Sequence, residues 1–168
     1  MTLADQVHVV LRARDQTVAV AESLTAGLLS AALTDTPGAS STFRGGLVVY
    51  ATDLKASLAG VPGPLLDAQG PVSPDVAAAL AAGTRTRLGA TWGLAVTGVA
   101  GPDEQDGVAV GTVFVGIAGP DQPAGAGSGA VRALHLAGDR AEIRRQAVLG
   151  ALEVLAGALG VGRVESAQ

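Results

Sequence analysis

The sequence predicts a single three-layer α/β/α domain over residues 1–168, with a mostly parallel mixed sheet of about five strands. Three observations predict it. Short, almost wholly apolar runs alternate with stretches of helical periodicity, the pattern of strands covered by helices on both faces. A chain of 168 residues with 48% apolar and 15% charged content can bury one sizeable core, and it shows no repeat and no linker-like stretch. Residues 110–118 and 130–136 read as consecutive strands with no helix between them, so one of the two runs antiparallel.

Residues 3–14 place Leu3, Val7, Val10 and Leu11 on one helical face, with Asp5, Gln6, Arg12 and Arg14 opposite. Residues 17–21 (TVAVA) form a β-branched run that passes through a tight turn into helix-forming residues 24–34. After the punctuation at 36–41, residues 46–51 (GLVVYA) have the composition of a buried strand. Thr52 or Asp53 caps a short helix to about Ala59. Pro62, Pro64 and Pro71 mark a connection, and Ser73-Pro74 then opens a helix that ends near Gly89. Residues 91–99 are a strand, followed by a glycine and acid-rich loop at 100–107 and the two strands already named. Between those two strands, residues 119–129 are low in complexity and read as a turn; residues 139–159 form the terminal helix.

Charge and composition exclude several function classes. A net charge of -4 and a pI near 5.0 disfavour a general nucleic-acid binder. The absence of cysteine excludes a thiolate nucleophile and disulfides, and with only His8 and His135 a structural zinc site is hardly possible. Both histidines sit inside helix and strand patterns and read as packing or surface residues. The first residues lack a signal-peptide pattern, and the longest apolar uncharged interval, residues 88–102, is too short to span a bilayer, so a cytoplasmic protein with no membrane partner is expected.

Ten of the eleven basic residues are arginine, and Lys55 is the only lysine. A desolvated lysine can lose its proton, whereas arginine cannot, so Lys55 is the one basic chain able to serve as a base. The only tyrosine, Tyr50, lies five positions earlier and is a second candidate proton carrier. Read alone, the two are an exposed helix lysine and a half-buried strand tyrosine. Ser23 stands where the first strand meets a helix, beside free backbone N–H groups. Its position reads first as a helix cap, and with a base nearby as a nucleophile. The catalytic reading expects the Ser23 hydroxyl, the Tyr50 phenol and a neutral Lys55 amine in mutual contact in one cleft.

The loop from Thr97 through Gly98 and Gly101 to Gly107 follows a central strand, and its glycines let backbone amides approach an anion. It lacks the dinucleotide and P-loop fingerprints. Asp103, Glu104 and Asp106 read as a solvated acidic turn or, given further ligands, a magnesium site. Arg140 and Arg144, at i and i+4 on a helix start, make either a phosphate clamp or an exposed face screened by Asp139 and Glu142.

The segments AESLTAG (21–27), TDTPGASSTFRGGLVVYATDLKA (34–56), GPVSPDVA (70–77), TGVAGPD (97–103), VGTV (110–113) and GDRAEIRRQA (138–147) together resemble the CinA carboxy-terminal domain family. The blocks fall in order and cover nearly the whole chain. The characterised enzymes of that family are nicotinamide-nucleotide amidohydrolases, so the resemblance implies deamidation of nicotinamide mononucleotide to nicotinate mononucleotide and ammonia, in pyridine-nucleotide recycling. It places the family's nucleophile on Ser23 and its tyrosine and lysine on Tyr50 and Lys55. It also sets Thr25, Gly27, Ser40, Thr97, Gly98 and Gly101 around the substrate, with Ala26 standing where family members often have glycine. It implies no metal or organic cofactor, a small nucleotide as substrate, and a homo-oligomer. The alternative is a non-catalytic nucleotide-binding or assembly module of the same fold, motivated by the altered glycine positions.

Overall fold

The structure, a computed structural model, describes residues 1–122 and 129–162. Among these residues five strands, β1 (Val18–Glu22), β2 (Phe43–Val48), β3 (Trp92–Gly98), β4 (Thr112–Ala118) and β5 (Ala130–His135), form one sheet in the order β2-β1-β3-β4-β5. β1 pairs in parallel with β2 and β3, while β4 runs antiparallel to both β3 and β5. The one reversed strand is therefore β4, and β5 returns to the direction of β3. The fold is the mixed α/β/α sheet that the sequence predicts.

Among the described residues there are six helices: α1 (Leu3–Ala13), α2 (Leu28–Thr34), α3 (Thr52–Ser57), α4 (Gly63–Gln69), α5 (Pro74–Leu88) and α6 (Arg140–Leu159). On one face, α1, α2 and α6 pack over Val18, Val20, Leu94, Val96, Val113 and Val115. On the other, α5 lies over Ala21, Ala95 and Ala118. Its alanines bring it so close that a Cβ at Gly93 or Gly116 would strike the carbonyls of Ala81 or Ala77. All five residues of β1 are buried, as a central parallel strand requires.

Several elements depart from the sequence reading. α1 buries Ala4, Val7, His8 and Leu11, so one histidine lies in the core face. The His8 ring, fully buried, has Nε2 2.8 Å from the Leu33 carbonyl and Nδ1 2.6 Å from Thr42 Oγ1, which ties α1 to α2 and to the start of β2. α2 begins at Leu28, four residues late, because Ala26 (φ 45°) and Gly27 (φ 100°) are left-handed and end any helix there. β2 runs three residues earlier than expected, because its ladder with β1 ends where Glu22 meets Val48. Tyr50 and Ala51 thus leave the sheet, and Ala51, not Thr52 or Asp53, is the residue before α3. A helix, α4, replaces the proline connection, since Pro64 sits in its first turn, where no amide hydrogen is needed. Ser73 caps α5 through Val76 N–H at 3.1 Å, as expected. Of the turn expected at 119–129, residues 123–128 lie outside the described residues.

Because β1, β2, β3 and β5 all point one way, their carboxyl ends share one edge. Ser23, Tyr50 and the loop after Gly98 therefore emerge together, and α6, which follows β5, starts there as well. Among the described residues no helix is long and apolar enough to cross a membrane.

Candidate active site

Ser23 is the first residue after β1, 8% exposed, with its N–H on the Val96 carbonyl at 3.0 Å. A tight turn follows. Ala26 N–H donates to the Ser23 carbonyl at 3.2 Å, and Leu28 N–H to the Thr25 carbonyl at 3.0 Å. The Ser23 hydroxyl is thus held at the rim of the sheet, just ahead of the turn that leads into α2.

Lys55 reaches Ser23 from α3. Its side chain is 1% exposed, and Nζ lies 3.1 Å from Ser23 Oγ, 2.8 Å from the Val49 carbonyl and 3.4 Å from the Tyr50 carbonyl. Among the described residues no carboxylate is paired with it, and burial alone lowers its pKa from 10.5 to about 8. A neutral amine has two N–H donors and one lone pair. With two carbonyls taking the N–H groups, the lone pair is left for the Ser23 hydroxyl.

A cleft of about 120 Å³ opens above this pair, lined by Ser23, Tyr50, Gly98, Gly101, Asp103 and Arg140 among others. Arg140, the first residue of α6, donates from Nη1 to the Gly101 carbonyl at 2.7 Å and from Nη2 to the Tyr50 hydroxyl at 3.0 Å. The expected three-way contact is not formed. The Tyr50 phenol, on a residue 57% exposed, is held by Arg140, and among the described residues it makes no hydrogen bond to Ser23 or Lys55. The physical reason is the early end of β2, which turns the tyrosine outward instead of along the strand.

Four other predicted residues are placed differently from expectation. Thr25 is fully buried and donates to Glu22 Oε1 at 2.6 Å, so its hydroxyl faces the interior. Thr97 donates to the Pro71 carbonyl at 2.8 Å and supports the loop from behind. Ser40 lies in a 3₁₀ turn (Ala39–Ser41) just before Phe43, which pairs with Val18; that is the opposite edge of the sheet, in a groove with Pro37 and Phe43. Arg144 turns from the cleft to the back of the Ser23 turn, donating to the carbonyls of Leu24 at 2.8 Å and Thr25 at 3.2 Å. Gly98 and Gly101 line the cleft, whereas Ala26 and Gly27 form the turn below it. Asp103 stands at the cleft without the further ligands a metal needs, since no group of three His, Asp or Glu is assembled among the described residues.

Sequence reasoning missed Glu22. It is fully buried, and its carboxylate accepts from Thr25 Oγ1, Leu29 N–H at 2.8 Å, Ser30 N–H at 3.0 Å and Ser30 Oγ at 2.7 Å. The signal was one acidic residue closing a wholly apolar strand, immediately before the candidate nucleophile.

Comparison with known proteins agrees with this architecture. The family description "CinA C-terminal domain" matches residues 1–159. A CinA-like protein of Frankia casuarinae is 54% identical over 143 residues, 84% of this chain and 31% of its own length. One from Anaeromyxobacter is 48% identical over 145 residues, 86% of this chain and 34% of its own. The chain thus spans about a third of the length of these relatives. Among solved structures, the competence damage-inducible protein A of Klebsiella pneumoniae superposes with a TM-score of 0.87 at 28% identity, covering 96% of this chain and 97% of that one. The competence/damage inducible protein CihA of Agrobacterium tumefaciens gives 0.85 at 32% identity, covering 94% and 93%. The chain belongs to the CinA C-terminal domain family.

Proposed function

We infer that this chain is an amidohydrolase that converts nicotinamide mononucleotide to nicotinate mononucleotide and ammonia, with Ser23 as nucleophile and Lys55 as base. The observation that carries it is the buried Lys55 amine, 3.1 Å from Ser23 Oγ and shifted by burial to a pKa of about 8. A base is most effective when its pKa lies near the working pH.

In the proposed reaction, neutral Lys55 takes the Ser23 proton as Oγ attacks the carboxamide carbon. A tetrahedral oxyanion forms and is held by backbone amides of the turn between Thr25 and Gly27. The Ala26 amide is already committed to the Ser23 carbonyl and Thr25 is fully buried, which makes the Gly27 amide the candidate donor. Lys55, now an ammonium, returns its proton to the leaving nitrogen. The C–N bond breaks, ammonia departs, and an acyl ester remains on Ser23. Water, activated by the same amine, hydrolyses the ester to the acid. Apart from water, these steps draw only on side chains and amides of this chain.

The cleft is well below the several hundred cubic ångströms typical of small-molecule sites, so a ring-sized group enters it and the rest of a mononucleotide lies across the rim. Arg140 stands at that rim. A phosphate is a stronger acceptor for its guanidinium than the Gly101 carbonyl and the Tyr50 phenol that it now contacts. Substrate binding in this reading draws Arg140 to the phosphate and frees Tyr50 to turn toward Lys55, and self-association as a homo-oligomer belongs to the same proposal.

The test is ammonia release from a panel of carboxamides by the purified protein and by Ser23→Ala. The reading expects turnover of nicotinamide mononucleotide that Ser23→Ala lacks. Tight calorimetric binding with no ammonia from any amide would instead favour the non-catalytic module.

A further inference from the structure

The turn that carries Ser23 is gripped from two sides by residues that do not enter the cleft. From the core side, Glu22 accepts four hydrogen bonds, two from the backbone amides of Leu29 and Ser30 in the first turn of α2, and two from the hydroxyls of Thr25 and Ser30. From the α6 side, Arg144 donates to two successive carbonyls, Leu24 through Nε and Thr25 through Nη2. The Thr25 carbonyl also accepts from Leu28 N–H. One residue, Thr25, is therefore fixed through both its hydroxyl and its carbonyl, by partners 3 and 119 positions away in the chain.

Peptide planarity gives these contacts a direction. The Leu24 carbonyl and the Thr25 N–H belong to one trans peptide unit and point opposite ways. Holding the Leu24 carbonyl on Arg144 therefore aims the Thr25 N–H away from α6. The next unit behaves alike: the Thr25 carbonyl faces Arg144 while the Ala26 N–H is turned back onto the Ser23 carbonyl. Left-handed Ala26 and Gly27 make the turn one that would not hold this shape by local preference alone.

We propose that Glu22 and Arg144 are positioning residues that hold the turn after Ser23 in shape, and with it the Ser23 hydroxyl and the oxyanion-binding amide of that turn. Neither touches substrate; both act through the turn. The proposal rests on the hydrolytic reading of Ser23, and it moves Arg144 from a phosphate contact to the back of the oxyanion site. Lysine at 144 keeps the charge but loses the fork that spans two carbonyls. Glutamine at 22 keeps the shape but turns an N–H₂ group toward donors.

The experiment compares wild type, Arg144→Lys, Arg144→Ala and Glu22→Gln in ammonia release and in the rate at which a serine-reactive phosphonate labels Ser23. The expected result is a fall in kcat of about 10-fold for Arg144→Lys and about 100-fold for Arg144→Ala, the scale of losing one oxyanion donor, with KM changed less than about threefold. Phosphonate labelling should slow in parallel, because its phosphoryl oxygen needs the same amide. Arg144→Lys keeps the test valid if Glu22→Gln fails to fold, since a well-folded lysine variant isolates the fork. Wild-type kcat and labelling in a folded Arg144→Lys and Arg144→Ala, with only a lower melting temperature, overturns the positioning role and leaves the hydrolase intact. A wild-type protein that neither releases ammonia nor takes the label removes the hydrolytic reading itself, and this inference with it.

Discussion

Arg140 and Tyr50, 90 positions apart, meet across the cleft through a 3.0 Å hydrogen bond from Nη2 to the phenol oxygen. The contact joins the first turn of α6 to the segment between β2 and α3, and the second guanidinium nitrogen fastens the same arginine to the Gly101 carbonyl. One cation thus spans three separate pieces of chain at the mouth of the site. With phosphate as its proposed ligand, Arg140→Ala raises KM for a phosphorylated carboxamide about 10 to 100-fold and leaves KM for the unphosphorylated riboside unchanged. Steady-state kinetics on the two substrates measure it.

Tyr50 is assigned to proton transfer and not to binding, so the same assay separates it from Arg140. Tyr50→Phe lowers kcat by about 100-fold, the lower range for a general acid or base, and changes KM little.

Lys55 ties activity to stability. Its amine is buried and its pKa lowered to about 8, so below that pH the folded chain carries a poorly solvated charge that the unfolded chain, with a pKa near 10.5, does not penalise. The difference of about 2.5 in pKa, at about 1.4 kcal/mol each, is roughly 3 kcal/mol at neutral pH, offset in part by the hydrogen bonds to Val49 and Tyr50. Lys55→Met therefore abolishes ammonia release and raises thermal stability at pH 7 by about 1 to 3 kcal/mol, with the gain shrinking as pH rises through 8 toward 10.5. Calorimetry over that range checks it.

His8 sets the opposite limit. Burial lowers its pKa below the ordinary 6.5, so the folded state holds it neutral while the unfolded chain takes up a proton below that value. The stability it confers is complete above pH 6.5 and is lost as pH falls through the lowered native value. Wild-type melting temperature should drop as pH falls below about 6.5 and through the lowered native value. In His8→Gln the drop is reduced, from a starting stability about 1 to 3 kcal/mol lower because the Leu33 and Thr42 partners are disturbed.

Ala26 is an exposed alanine at φ 45°, a conformation that costs a residue with a Cβ about 1 kcal/mol and glycine almost nothing. Ala26→Gly should raise unfolding free energy by up to about 1 kcal/mol in denaturant titration without lowering kcat.

What the sequence discloses of this site follows the range of the forces involved. Lys55 and Ser23 stand out by chemistry, as the lone lysine and as a serine at a strand-to-helix junction; the alternation of buried runs suffices for the sheet, and the missing helix between residues 118 and 130 for one reversed strand, but only the pairing identifies it as β4. The placement of Tyr50 was not legible, because where β2 stops depends on how far β1 extends beside it. Ser40 and Arg144 went astray for a related reason: the resemblance named Ser40 and helical spacing paired Arg144 with Arg140, but only the folded chain sets one on the far edge of the sheet and the other on two carbonyls some 120 positions away. Glu22 is visible as an oddity in an apolar strand, yet its four donors come from Thr25 in the turn and from Leu29 and Ser30 at the start of α2, which only the folded turn brings back onto the end of β1.

The account stands most directly on the pH dependence of kcat/KM for ammonia release by the wild-type protein. With Lys55 acting as a neutral base on Ser23, the rate rises tenfold per pH unit in the acid range and levels off near pH 8, the value burial gives the amine. A rate that is flat from about pH 6 to 9, or one that survives in Lys55→Met, would contradict it.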